Sequence, residues 1–497
     1  MTEFRDYLDL AAERVGGTVL YATDDYFADK ENLLKPGKAV WREHEYTDRG
    51  KWMDGWEGRR KRVPGHDYAI VRLGLRGVIR GVVVDTSFFR GNYPDRCSIE
   101  ACDERAETDV ATLEASARWV EILAESPLQG DSENLFTIDS PFAFTHLRLR
   151  IFPDGGVARL RVHGEPVPDW RRIGGLANEV DLAAVENGGD VLACSDMFFG
   201  PKHNLIMPGR AVNMSDGWET RRRRGPGHDW VIVQLATEGL IQRIEIDTNH
   251  FKGNFPDSCS VEATLSADIS SPATAWGEIL PRTALQAHTR HVFADELEQR
   301  GAVSHLRLNV FPDGGVSRLR AHGRATQEGS RTEVVRRINT TLDVERDLHA
   351  CCGSAAWVKS MKESRPFANW EALVEAADQI WEELDRDDWL EAFHAHPRIG
   401  DKAAAQHGSG ASRWSEREQA AISSSLEGDR SRLAEANLEY EKRFGHIFIV
   451  CATGRSLDEM SEILENRLNL TPEEEIVEAA EEQRKITRLR LEKLVLR

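Results

Sequence analysis

The chain lacks any C-x-x-C pair, and its seven cysteines (Cys97, Cys102, Cys194, Cys259, Cys351, Cys352, Cys451) leave an odd one over. Neither a disulfide framework nor a zinc ribbon is indicated, and a reducing cytoplasm is the expected compartment. No apolar run approaches the roughly 18 residues that cross a membrane, and the opening MTEFRDYLDLAAERVGG has no apolar core of signal-peptide length. Basic residues are in deficit: 64 Lys and Arg against 83 Asp and Glu give a formal charge of −19. So acidic a chain argues against nucleic acid and anionic membranes as partners and leaves small polar substrates open. Glycine is scarce in one region only, with seven of the 39 falling in 341–497, which marks a turn-poor tail.

What is present is a duplication. FPDGGVARLRVHGE, from Phe152, returns as FPDGGVSRLRAHGR, from Phe311. Upstream, DGWEGRRKRVPGHDYAIVRL from Asp54 matches DGWETRRRRGPGHDWVIVQL from Asp216, and VDTSFFRGNYPDRCSIEA from Val84 matches IDTNHFKGNFPDSCSVEA from Ile246. Nearer the start, ATDDYFADKENLL from Ala22 parallels CSDMFFGPKHNLI from Cys194. Units this long are full domains rather than solenoid repeats. Inside each, segments such as YAIVRL, IRGVVVDT, CSIEA and THLRLRIF alternate or run apolar between Gly, Pro, Asp and Asn turn signals, a pattern that predicts a β-sandwich.

The tail changes period. In EALVEAADQIWEEL, Leu373, Ala377, Ile380, Trp381 and Leu384 share one helical face, and Thr471-Pro472-Glu473-Glu474 reads as a capped helix start. The expected organisation is a sandwich over 1–172, a second over 173–325, a linker over 326–340 and an all-α domain over 341–497.

Polar positions kept in both copies nominate themselves by internal comparison. They include Asp25 with Asp196, Glu57 with Glu219, His66-Asp67 with His228-Asp229, Asp85 with Asp247, Asn92 with Asn254, Asp95 with Asp257, Asp154 with Asp313, and His163 with His322. FPDGG reads as turn chemistry first and as a ligand-facing Asp second. A His beside an acid is either a satisfied structural His or a metal-ligating or acid/base group. The basic runs Arg59 to Arg62 and Arg221 to Arg224 are solvated loops or a carboxylate grip, with nucleic acid the least favoured.

With the DGWE–basic run–PGHD, D-T-x-x-F-x-G-N-x-P-D and F-P-D-G-G signatures in two copies, residues 15 to 325 resemble the allantoicase family. The resemblance implies two jelly-roll-like, galactose-binding-like sandwiches that hydrolyse allantoate to (S)-ureidoglycolate and urea, often with a divalent metal invoked. Allantoate carries one carboxylate and two ureido groups on a single carbon, so a site needs a cation, hydrogen-bond acceptors, and an activated water or an acid. The candidates are His66, Asp67, His228 and Asp229 for catalysis and Asp85, Asp247, Asn92 and Asn254 for binding, with the metal and the active copy left open.

In the tail, CCGSAAWVKSMKESRPF, EAFHAHPRIGD, SEREQ, NLEYEKRFGHIFIVCATGR and KITRLRLEKL together resemble OHCU decarboxylase, which acts on 2-oxo-4-hydroxy-4-carboxy-5-ureidoimidazoline. By motif, His396 is similar to that family's catalytic His, Glu418 to its catalytic Glu and Arg490 to its substrate-binding Arg. Pro397, Ser415, Glu416, Arg417, Gln419, Phe448, Ile449, Val450, Cys451 and Ala452 would line the pocket. The substrate contains its own conjugated electron sink, so this half is expected to need no cofactor. The expected partners are small ureides and further copies of the chain. The rival reading is a duplicated sugar-binding module with a helical oligomerisation domain.

Overall fold

The computed structural model describes residues 4–171, 175–266, 268–269, 271, 273–298, 301–396 and 427–496. These form two compact units, residues 1–330 with 340–342, and residues 331–339 with 343–497. The expected linker carries a helix, Gln327–Thr340, and the division falls within it.

The first unit holds two antiparallel β-sandwiches, each organised by one long strand, Asp67–Asp85 or Asp229–Asp247. The first part of Asp67–Asp85 pairs with Ala143–Phe152 and Thr18–Ala22, the second with Arg159–Pro166 and Glu133–Thr137. Nineteen residues drawn straight would span about 60 Å at roughly 3.3 Å per residue. Yet Asp67 pairs with Ile151 and Asp85 with Arg159. The eight steps between those two partners reach at most about 29 Å. The strand therefore bends, and the bend falls where pairing with Ala143–Phe152 skips from Arg72 to Gly77. In the second sandwich the skip runs from Gln234 to Gly239. Each long strand belongs to both layers of its sandwich, and FPDGG crosses between layers at the end opposite the bend.

Alternation places the core. Val82, Val84, Leu160 and Val162 point inward in the first sandwich, as Ile244, Ile246, Leu319 and Ala321 do in the second. Asp85, Arg159 and Arg161, and equally Asp247, Arg318 and Arg320, consequently stand on the other face.

The second unit is helical. Leu373, Ala377 and Trp381 of Trp370–Glu383 are buried, and the indole N–H groups of Trp357 and Trp381 donate to the carbonyls of Ala377 and Ala480. The helix Pro472–Glu492 starts with a capping box, Thr471 accepting from Glu474 N–H while the Glu474 side chain accepts from Thr471 N–H. Tyr440, Phe444, Phe448, Met460 and Leu464 form a further apolar cluster.

Candidate functional sites

Most of the retained residues of each sandwich gather around the FPDGG crossover, while His163 and His322 lie further along the following strand, opposite Gly81 and Arg243. Asp154 accepts the Lys61 N–H at 2.7 Å and Asp313 the Arg223 N–H at 2.6 Å, so each crossover holds its basic loop. Gly155 has φ of 138°, open to glycine, and a Cβ on Gly156 would lie 1.9 Å from the buried Phe89 ring. In this geometry the motif is a structural brace.

The basic runs are partly spent on their own loops. Lys61 Nζ lies 2.7 Å from Asp67, which also accepts the Thr23 hydroxyl at 2.6 Å. Asp229 is held likewise by Arg223 and by Ser195 at 2.9 Å. Arg59 pairs with Asp24 at 2.7 Å, and the Trp56 indole donates to the Asp24 carbonyl. In the second copy Arg221 lies 3.8 Å from Asp196, whose carbonyl accepts the Trp218 indole. The counterpart of Asp196 is thus Asp24, not Asp25, because spatial partners fix an alignment that a gapped string leaves one residue loose.

His66 and His228 are half-buried, with ring centres 5.1 and 4.7 Å from Phe152 and Phe311. Burial and the nearby Arg150 lower the pKa of His66. Asn92 donates to Glu57 at 2.8 Å, Asn254 bonds Glu219, and burial raises the Glu57 carboxyl. Asp85 and Asp247 are buried and accept the N–H groups of Ser87 and Asn249 at 2.8 and 2.9 Å. His163 donates from Nδ1 to Tyr7 O at 2.8 Å, and His322 Nε2 lies 3.5 Å from Glu245. Internal comparison missed the ion pairs Asp54–Arg159, at 2.7 Å, and Asp216–Arg318, at 2.8 Å, in both of which the arginine is buried. Their signal was present, since all four residues recur, but nothing in a string says that residues about a hundred apart meet.

In the helical unit, Gln483, Thr487 and Arg490 fall at i, i+4 and i+7 on one face of Pro472–Glu492, and Gln483 and Arg490 meet His396 just past the helix Arg386–His394. Arg490 Nη2 is 3.4 Å from His396 Nδ1, and Gln483 donates to Thr487 at 3.2 Å. His396 Nε2 is shielded from solvent, and the Gln483 side chain interacts with the ring. Burial, and then the Arg490 charge, push His396 down to about 3, so the imidazole is neutral at physiological pH. Arg488, two positions from Arg490 and about 200° around the helix, binds Asp378 instead. Phe448, Ile449, Val450 and Ala452 are buried and Cys451 is half-buried. Their backbone is fixed by Arg467 donating to Ile449 O at 2.6 Å and by Glu482 accepting Cys451 N–H at 2.7 Å. Pro397, Ser415, Glu416, Arg417, Glu418 and Gln419 lie outside the described residues.

The allantoicase repeat model matches residues 8–167 and again 180–326. The chain belongs to the allantoicase family. A probable allantoicase of Photobacterium profundum is 51% identical over 327 residues, which cover 64% of this chain and 97% of that protein. The crystal structure of Saccharomyces cerevisiae allantoicase shares 36% identity at a TM-score of 0.55, covering 64% of this chain and 92% of that one. Beyond the allantoicase repeats, residues 340–492 match the OHCU decarboxylase model. A crystal structure titled OHCU decarboxylase in the presence of (S)-allantoin aligns over 30% of this chain and 97% of its own, at 38% identity and a TM-score of 0.26.

A divalent ion in the allantoicase half would need ligands that converge. Among the described residues, no group of three His, Cys, Asp or Glu side chains does so. The described residues therefore offer no ready-made ligand set for such an ion.

Proposed function

We propose that this allantoicase-family chain is a two-activity enzyme of ureide catabolism. Its sandwiches cleave a C–N bond of allantoate to give (S)-ureidoglycolate and urea, and its helical unit decarboxylates OHCU to (S)-allantoin without a cofactor. The observation that carries the second activity is the approach of a neutral His396 to Arg490 on the face shared with Gln483.

In that reading Arg490 fixes an anionic group of the substrate, and His396, with Glu418 orienting, takes the hydroxyl proton. The C–C bond to the carboxylate then breaks, CO2 leaves, and the bonding pair passes into the conjugated imine and carbonyl. The hydroxyl-bearing carbon becomes a carbonyl, and the neighbouring carbon, which bears the ureido group, is protonated on one face. The neutral imidazole has a lone pair to accept the proton, and a substrate anion bound at Arg490 would offset the charge that, after burial, weakens the ring as a base. Phe448 to Ala452, held by Arg467 and Glu482, wall the pocket, to which Pro397 and Ser415 to Gln419 are assigned by motif alone.

For allantoate the candidates remain the His66-Asp67 and His228-Asp229 pairs with Asp85, Asp247, Asn92 and Asn254. Support comes from the family match and from their gathering at one end of each sandwich. The test is the whole protein with each substrate in turn. His396→Ala should abolish the acceleration of OHCU decay with the helical circular dichroism signal unchanged, and an unaltered rate would remove the mechanism.

A further inference from the structure

The two sandwiches share a scaffold but differ on the face turned away from the core. In the second, Glu245 and Asp247 emerge there with Arg318 and Arg320, and Arg290 stands opposite Asp247. With Glu186, Gly209 and Arg210 they line a cleft of about 250 Å³. Strand register supplies the counterparts in the first sandwich. Asp85, Arg159 and Arg161 are kept, but Val83 occupies the place of Glu245 and Glu133 that of Arg290.

These two differences change what the face can hold. Glu245 is buried and takes Arg290 Nε and Arg243 Nη1, each at 2.9 Å, so it anchors Arg290 while about half of that side chain stays exposed to the cleft. In the first sandwich Glu133 instead puts a second negative charge beside Asp85, and the neighbouring positions are the apolar Val83 and Leu135. At the register of Arg290 an acidic ligand meets a guanidinium in one copy and, in the other, a carboxylate that lies 3.5 Å from Arg5. Arg320 adds a specific demand. Its Nη2 donates to Gly209 O at 3.0 Å and its Nε lies 3.4 Å from Asp181, while its shielded Nη1 has no hydrogen-bond partner among the described residues. A shielded guanidinium donor without an acceptor is costly, and a bound carboxylate would supply one. The cleft is below the roughly 300 Å³ at which drug-sized sites begin, which suits a metabolite of about a dozen heavy atoms.

We propose that the second sandwich alone binds the ureide acid, with Arg320, Arg210 and Arg290 holding its carboxylate and Asp247 accepting its ureido N–H groups. The proposal rests on the allantoate reading above and adds which copy is used and by which residues. Arg210 is the probe of choice because its side chain is 64% exposed and 3.4 Å from Asp247, so its loss should not unfold the loop. Its sequence counterpart in the first copy is Lys38, since Pro36-Gly37-Lys38-Ala39 parallels Pro208-Gly209-Arg210-Ala211.

The experiment measures urea release from allantoate by the full-length protein. Arg210→Ala is expected to raise KM about tenfold or more with a smaller change in kcat, the mark of lost ground-state binding, while Lys38→Ala stays within about twofold. Glu245→Val, which copies the first sandwich, should also raise KM by releasing Arg290. The reverse pattern, with Lys38→Ala impaired and Arg210→Ala silent, overturns the proposal while leaving the allantoate reading standing. If the wild type releases no urea, that reading fails by itself, and calorimetry with allantoate decides the cleft. Binding lost on Arg210→Ala upholds it, and no binding to the wild type overturns it.

Discussion

Replacing Arg490 with Met tests the electrostatics of the decarboxylase-like site. His396 is held down to about 3, with burial the larger cause and the Arg490 charge the second. Relative to an ordinary value near 6.5, that displacement corresponds to about 5 kcal/mol. A unit charge 3.4 Å from the ring would by itself supply about 5 kcal/mol at an effective dielectric constant of 20, which is a ceiling. Because burial ranks first, Arg490 accounts for less than half, about 2 kcal/mol. Its removal should make the imidazolium about tenfold to thirtyfold weaker as an acid. His396 should still titrate below a free histidine, since the burial remains. NMR of histidine-labelled protein over an acid titration reads this directly. A neutral His in the fold and a free one in the unfolded chain mean that the associated stability is complete above pH 6.5. It drains away as pH falls toward 3, and Arg490→Met should narrow that window from its acid end. If the variant's His396 titrates where the wild type's does, or lower, the side chains do not meet as described and the proposed substrate-anion site loses its basis.

Two stability predictions follow for the sandwiches. Gly315→Ala would place a Cβ 1.9 Å from the fully buried Phe251 ring and should destabilise the second sandwich by about 3 kcal/mol, within the range of overpacking, whereas Gly253→Ala, with open space around it, should be near neutral. Tryptophan-detected denaturation compares them, and equal midpoints would contradict the packing. Asp54→Ala strands the buried Arg159 charge and frees the Val40 N–H, at an expected cost of about 3 to 5 kcal/mol in the same measurement, and a loss below about 1 kcal/mol would show Arg159 to be solvated.

Much of the architecture could be read from the string because it rests on local signals. The strand periodicity of YAIVRL and IRGVVVDT, the helical face of Leu373, Ala377 and Trp381, and the turn chemistry of FPDGG all lie within a few residues of themselves, and the duplication shows on direct comparison of the string with itself. Less visible was that YAIVRL and IRGVVVDT are one continuous strand, since the bend between them looks like a turn. The cleft residues Glu245 and Arg290 were hidden for a different reason. Searching for polar positions shared by both copies selects what the scaffold needs, and a site present in one copy is made of what the copies do not share. The tail shows the value of phase on a helix. Arg488 and Arg490 are indistinguishable as letters, and two residues of helix send one to Asp378 and the other to His396.

The bent strand has a consequence for how the sandwich can move. Side chains alternate with a period of two, so a slip of one residue in either layer would turn every inward side chain outward. Here both layers share one uninterrupted backbone, and a slip in the half that carries Asp67 would have to pass around the bend and shift Asp85 and Arg159 as well. The crossover, tied at Asp154 to Lys61, closes the loop at the other end. The layers cannot slide past each other one at a time. Each sandwich is a register lock, and the polar residues at its end keep their mutual spacing unless the whole domain opens.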